Sequence, residues 1–590
     1  MKITMRTTVV FSLLLMMATS GVSTSPGALA DRVKCGTCKA LGAVVKGVVK
    51  LTGSSMLMRS KAYRLCSVVP VARSVCEGYI DSWAEPLTYI VQNSKLSSAE
   101  VCAIYIDACP RPSLDIDATL YLRKDPTPAE IKIRDYLYPS PATPGLTVLH
   151  IADLHLDSLY REGADNSCSE VLCCRADNGF PTNASRRAGR WGDYTRCDSP
   201  YKLVESMVQH TAKQHPDVAY IMWTGDNAPH DDWRSSREEV LSSTSSITAL
   251  LQRYFPGIPV LPVIGNHDSA PINSFPPKEV WNAGFSGAWL YSMLANIWKP
   301  WLPPNAAATL ENYGYYSLLV RPGFRVIVIN TNVAYKLNFW VLMTARGDPS
   351  HQLRWLTEEL RAAYLTGEKC HIVGHISPAD RDILPAWSHM YYKIIKNYRT
   401  TVRGEFFSHT HVDEIHLSKD DNDEAFAVTY VAPSLSPWKN VNPGYKVYTV
   451  DGSRGAQSTW EVTEVARWTV NLQEANKLAG NSPRWYQQFK ASEEYGLASL
   501  SPQNWSSAVQ SMLLKDHLFT KYYRNLSGRA LVQASCDAEC RQEIICNVLT
   551  SDQSSPRQCQ RARATYQQAV REGRANPRAV VSASQPTPWF

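Results

Sequence analysis

Aspartate, asparagine and histidine supply the oxygen and nitrogen ligands of divalent metals. Five short turns in the middle of this chain carry them, each after an apolar run: Asp153-Leu154-His155, Gly225-Asp226-Asn227, Gly265-Asn266-His267-Asp268, Gly374-His375 and His409-Thr410-His411. Asp153 and His155 are two apart, as are His409 and His411. On an extended strand end such pairs point to one side, so each pair is expected to reach one ion. A carboxylate at Asp226 can bridge two cations through its two oxygens. Any one of these turns alone reads as an ordinary loop. The ordered set of five predicts a two-metal centre that hydrolyses a phosphoester.

The elements that must position these turns are legible in the flanking runs. Leu146 to Leu149, Val218 to Met222, Val260 to Ile264, Val326 to Ile329 and His371 to Val373 are apolar and rich in β-branched residues. Amphipathic stretches such as His351 to Ala363 separate them. This alternation predicts an α/β fold with strands buried on both faces. In open α/β sheets ligands gather beyond the carboxyl ends of the strands. Asp153, His155, Asp226, Asn266, His375, His409 and His411 all fall there.

At 590 residues the chain exceeds one core, and length alone suggests roughly three or four domains. A hydrophobic share of 44% with 19% charged residues reads as globular. The net charge of +7 favours anionic surfaces. No basic run interleaved with aromatics occurs, so nucleic acid is not an expected partner. Residues 1–30 read as a signal peptide. Lys2 and Arg6 precede the apolar run Val9 to Ala18, which is too short to span a bilayer, and Ala28-Leu29-Ala30 offers a cleavage site. No later stretch is apolar enough for a transmembrane helix. The mature protein is therefore expected to be soluble in the secretory pathway.

Cysteine usage fits an oxidising compartment, since 14 of the 15 cysteines lie in three clusters. The remaining one, Cys370, sits beside an apolar run and reads as an inert core thiol. Asn183, Asn504 and Asn525 open Asn-x-Ser sequons, expected as surface glycan sites. Residues 31–111 carry Cys35, Cys38, Cys66, Cys76, Cys102 and Cys109 between helical patterns, among them the face Leu41, Val44, Val45, Val48 and Val49. So small a unit leans on its disulfides, and six cysteines leave fifteen connectivities open. Pro126, Pro128, Pro139 and Pro141 mark residues 112–144 as an extended linker. A catalytic domain is expected over 145–450. Residues 451–590, rich in helix-forming and aromatic residues, are expected to form a helical C-terminal domain closed by Cys536, Cys540, Cys546 and Cys559.

The order of the five turns resembles the calcineurin-like metallophosphoesterase superfamily. The segments ADLHLD, WTGDNAPHD, GNHDSAPINSFPP, HTHVDEIH and NPGYKVY are similar to the acid sphingomyelinase branch. The six-cysteine unit resembles the saposin family of lipid-perturbing helical modules. These resemblances imply a two-sheet metallophosphoesterase sandwich flanked by helices, with an all-α module in front. They imply two zinc ions. Asp153, His155, Asp226 and His411 would hold one, and Asp226, Asn266, His375 and His409 the other. A bridging hydroxide would attack phosphorus. His267, next to Asn266, is the first candidate for proton donor or phosphate clamp, and His230 is the second. The implied reaction cleaves sphingomyelin to ceramide and phosphocholine. A monomer, lysosomal or secreted, would dock peripherally through its module on sphingomyelin-containing and anionic membranes. The resemblance pairs Cys35 with Cys109, Cys38 with Cys102, Cys66 with Cys76, Cys168 with Cys173, Cys174 with Cys197, Cys536 with Cys540 and Cys546 with Cys559.

Some positions depart from the pattern. Ser408 precedes His409 where glycine is usual, and a tolerable backbone angle is expected there. Asp268 stands where glutamate is frequent. No tyrosine follows Gly225-Asp226, which turns the reading away from the tyrosine-ligated iron phosphatases. Two other functions compete: a secreted phosphodiesterase of nucleotides or other soluble diesters, and a catalytically inactive lipid-binding protein. The helical module argues against the first, and the full set of seven ligands against the second.

Overall fold

The computed structural model describes residues 28–576, apart from 53–54, 68, 70, 106–108, 110–144, 195, 345–346, 478–481 and 531–534. Most of the expected signal peptide and all of the 112–144 linker lie outside the described residues.

Two six-stranded sheets make the catalytic core. The first contains β1 (Leu146–Ile151), β2 (Val218–Trp223), β3 (Val260–Pro262), β10 (Gly444–Val450), β11 (Val462–Val470) and β12 (Trp485–Lys490), in the order β12-β11-β10-β1-β2-β3. The second contains β4 (Tyr316–Arg321), β5 (Phe324–Val328), β6 (Lys369–Ile376), β7 (Val402–Ser408), β8 (Glu414–Lys419) and β9 (Ala425–Val431), in the order β4-β5-β6-β7-β9-β8. The expected runs form β1, β2, β3, β5 and β6. Aromatic side chains from both sheets share one core: Phe324 stacks on Trp460 at 4.5 Å, and Phe406 meets Tyr448 edge-on at 4.9 Å. Such rings combine large apolar burial with a preferred mutual geometry, which holds the sheets at a set separation.

Register then brings the functional turns level. Ile151 lies beside Trp223, and Trp223 beside Pro262, in parallel pairing. In the other sheet Ile376 lies beside Ser408. The turns after β1, β2, β3 and β7, and the end of β6, therefore open at neighbouring strand ends.

The expected boundary at 450 cuts through this sandwich. β11 and β12 belong to the first sheet, so the C-terminal region is not wholly helical. β11 reads VTEVARWTV and is buried along nearly its whole length. Its β-branched residues favour a strand, but composition averaged over the region masks that short run. The helices Pro502–Leu514, Asp516–Leu526, Ala538–Leu549 and Arg557–Arg571 follow.

Among the described residues the N-terminal module has four α-helices: α1 (Ala28–Thr52), α2 (Ser55–Tyr63), α3 (Arg73–Asn93) and α4 (Ser98–Tyr105). Of the valine-rich face in α1, Val49 is buried; the side chains of Leu41, Val44, Val45 and Val48 lie outside the described set. The seven disulfides have the pairing that the family resemblance implies. Cys370 is free and buried, and burial pushes its thiol up to about 12. The module packs directly on the catalytic domain. Trp83, Leu87, Ile90, Leu96 and Ile104 share a core with Phe339, Trp340 and Leu342, and Ser94 Oγ donates to the carbonyl of Leu342 at 2.7 Å.

The sequons differ in exposure. Asn183 is exposed and Asn504 is half-buried. Asn525 corrects the expectation of a surface glycan: it is buried, and its Nδ2 donates to Glu494 Oε1 at 2.9 Å and Tyr495 Oη at 3.1 Å. A sequon fixes neighbours in sequence, whereas accessibility depends on the helix packing around it.

Glu405 on β7 gives the fold a testable pH response. It is buried, accepts from Tyr391 Oη at 2.6 Å, and burial holds its carboxyl up at about 7. A carboxyl raised on folding contributes stability in full below its unfolded value, and that contribution is lost as pH rises through its folded value. Glu405→Gln removes this titration. The melting temperature of E405Q relative to wild type is expected to be higher at pH 8 than at pH 5 by ~2–4 °C, the shift that about 1 kcal/mol makes in a sizeable domain. A pH-independent difference in thermal scans would contradict the assignment.

Candidate metal centre

The turn after β2 begins at Gly225, whose φ of +85° suits glycine. A Cβ there would overlap the backbone of Gly265, so the turns after β2 and β3 touch directly. Asp268 ties them together. Its carboxylate accepts from Gly265 N at 2.7 Å, Asn227 N at 2.8 Å and Asp226 N at 3.1 Å. Backbone bonds from Asp153 N to Gly225 O and from His155 N to Asp226 O, at 3.1 and 3.0 Å, join the turns after β1 and β2. His409 N donates to the carboxylate of Asp153 at 3.2 Å, joining the two sheets.

The backbone at the paired ligands is not extended, contrary to expectation. Asp153, His155, Asp226, His409 and His411 have φ of 49°, 37°, 56°, 80° and 68°. Aspartate and histidine are among the few side chains enriched in this left-handed region. Ser408 keeps an ordinary φ; the strained position is His409 itself. The Ser408 hydroxyl instead donates to Thr224 O at 3.1 Å and lies 3.1 Å from His375 Nδ1.

Two groups of ligand atoms converge. Those of Asp153, His155 and His411 lie within 4.8 Å of one another, as do those of Asp226, His375 and His409. Asp226 Oδ2 stands 3.2 Å from His375 Nε2 and 3.6 Å from His155 Nε2, so it faces both groups. Asn266 Oδ1 lies 2.9 Å from His375 Nε2. The tautomers suit a metal. His155 Nδ1 donates to Ala228 O at 2.8 Å and His375 Nδ1 to Thr224 O at 2.7 Å. Each Nε2 lone pair then points into the centre, where His155 and His411 bring their Nε2 atoms to 3.1 Å. Acceptors facing acceptors in a buried site fit a cation between them.

Electrostatics agree. Burial holds the imidazoles of His155, His409 and His411 well below their ordinary pKa, which leaves them neutral as ligands. Burial also pulls His375 down, but Asp226 and then Asp153 outweigh it and hold His375 at about 9. Asp153 itself is pushed up to about 7 by burial. These carboxylates call for positive charge, which a divalent ion supplies more fully than a proton.

His230 and His267 stand at the rim, and their ligand-type atoms cluster with that of His155. His230 is buried. Its Nδ1 is 2.8 Å from Asp198 Oδ1, its N–H donates to Asp198 Oδ2, and its ring stacks on Trp438 at 4.3 Å. Asp198, Asp232 and Trp438 escaped the sequence reading. Asp198 follows Cys197 on a disulfide loop, and no local pattern marks it. His267 Nδ1 is 3.6 Å from Asp232 Oδ1.

Residues 146–413 match the family model for calcineurin-like phosphoesterases, and residues 424–566 match that for the acid sphingomyelin phosphodiesterase C-terminal region. The sphingomyelin phosphodiesterase of Bos taurus is 35% identical over 530 residues, which is 89% of this chain and 83% of that protein. The chain belongs to the sphingomyelin phosphodiesterase family. Within that family, sphingomyelin phosphodiesterase 2 of Caenorhabditis elegans is 30% identical over 82% of this chain and 81% of its own length. Sphingomyelin phosphodiesterase B of Dictyostelium discoideum is 30% identical over 87% and 80%. Membership makes this chain a metal-dependent phosphodiesterase hydrolase, in keeping with its buried Asp and His groups.

Losing a hydrogen-bond partner of a metal ligand typically costs ~10–100-fold in metal affinity. Asp226→Asn, at the position shared by both groups, is expected to cost at least that much in competition against a chelator. Wild-type affinity in D226N would remove Asp226 from the ligand set.

Proposed function

We propose that this protein hydrolyses sphingomyelin to ceramide and phosphocholine at two zinc ions. The observation that carries the reading is the pair of ligand groups meeting at Asp226, in a chain aligned with sphingomyelin phosphodiesterases along most of its length. Asp153, His155, Asp226 and His411 would hold one ion, and Asp226, Asn266, His375 and His409 the other. Metals bound there lower the pKa of water and neutralise charge on the phosphate. The mixed imidazole, carboxylate and amide donors suit zinc.

The protein's own residues do the rest. The ceramide alkoxide is a poor leaving group and needs a proton. His267, at the rim with Nδ1 turned toward Asp232, would give it from Nε2. His230, fixed by Asp198 and Trp438, presents Nε2 to the same space and would clamp a phosphate oxygen. Asp268 keeps both turns in place. The helical module, with the positive net charge, would dock the enzyme peripherally on sphingomyelin-containing and anionic membranes. No helix among the described residues is long and apolar enough to cross one. Secretory-pathway delivery to lysosomes or the exterior, as a monomer, completes the proposal.

Given sphingomyelin vesicles, the purified protein is expected to release phosphocholine, and a chelator to abolish the release. Cleavage of bis-p-nitrophenyl phosphate alone would favour a soluble diesterase. His267→Gln is expected to lower kcat on sphingomyelin by ~100–10,000-fold, with metal content at the wild-type level. Unchanged turnover would remove His267 from the chemistry.

A further inference from the structure

Helix α3 of the N-terminal module reaches the rim of the metal centre. At Gly78 its backbone lies so close to the turn Asp232–Arg234 that an added Cβ would overlap the carbonyl of Trp233. One residue on, Tyr79 is buried and donates Oη–H to Asp232 Oδ2 at 2.8 Å. The other carboxylate oxygen, Asp232 Oδ1, faces His267 Nδ1 across 3.6 Å, and neither of these two atoms has a hydrogen-bond partner. Val75, Tyr79, Leu172 and Trp233 seal the contact from the side. A line of tyrosine, carboxylate and imidazole thus runs from a helix of the module to a histidine of the catalytic centre.

We propose that Tyr79 is a positioning residue for His267, acting through Asp232, so that the docked module completes the proton donor. The proposal rests on the reading of His267 as that donor. The terminal torsions of aspartate and histidine are broad, two-fold rotors. Tying one oxygen of Asp232 fixes the carboxylate plane, and the second oxygen then sets which edge of the imidazole faces the phosphate. Gaps of this size at catalytic hydrogen bonds close when substrate binds. The module is then more than a membrane anchor: it is part of the active-site wall.

Tyr79→Phe in the full chain removes one hydroxyl and leaves the apolar contacts. Turnover is read on sphingomyelin in detergent micelles and on bis-p-nitrophenyl phosphate. The first expels an alkoxide that must be protonated, and the second a phenolate that leaves unaided. In Y79F, kcat on sphingomyelin is expected to fall about tenfold with KM within about twofold, while the soluble diester responds far less. Asp232→Asn is expected to show the same split, and the double variant to be no worse than D232N alone. Gly78→Val, which forces α3 off the turn, is expected to reproduce the split. Equal losses on both substrates in Y79F would overturn the positioning role. So would full sphingomyelin turnover in Y79F when H267Q has lost it. Full turnover in H267Q would overturn the donor reading and this proposal with it.

Discussion

Asp153 and Asp226 are carboxylates with almost no exposure to water, placed side by side. Buried charge of this kind is costly unless an opposite charge compensates it. The surrounding imidazoles answer that demand. Carbonyl oxygens fix two of them so that their lone pairs face inward. The centre is therefore a cavity of acceptors that a divalent cation completes, and the rest of the catalytic domain exists to hold those acceptors together.

The holding is done against backbone preference. Five residues of the ligand set sit in the left-handed region, a conformation costing ~1–3 kcal/mol each when unfavourable for the side chain. Two devices offset it. Aspartate and histidine are the side chains at all five positions, and they tolerate the region best after glycine and asparagine. The turns also brace one another: Asp268 accepts three backbone N–H groups, and β1 and β2 exchange bonds beyond their ends. Behind them the aromatic core of the two sheets is rigid enough to keep the strand ends level.

The N-terminal module extends this scaffold. Its helix α3 shares one core with the second sheet's flanking segments and another with the turn bearing Trp233. Two separate apolar contacts and two part-buried hydrogen bonds restrain the module in orientation as well as in distance. The module and the catalytic centre are thereby joined in one connected body.

Much of the centre was legible in the sequence. Asp153, His155, Asp226, Asn266, His375, His409 and His411 follow apolar runs, and the runs form strands because β-branched residues prefer a buried pleated surface. What local pattern could not carry was anything set by distant packing. The i, i+2 spacing of Asp153 and His155 suggested an extended strand end, yet contacts between turns impose left-handed backbone there. β11 and β12 looked like part of a helical tail, but they complete a sheet begun over 300 residues earlier. Asn525 has the sequon and lacks the exposure. Asp198, Asp232 and Tyr79 reach the centre from loops and from another module, with no spacing to announce them. By itself, the sequence determined ligand chemistry and the strands that carry most of the ligands, because both are written in residue type and local periodicity. Tertiary structure alone decided which groups orient those ligands and what water can reach, because both depend on atoms brought together across hundreds of residues.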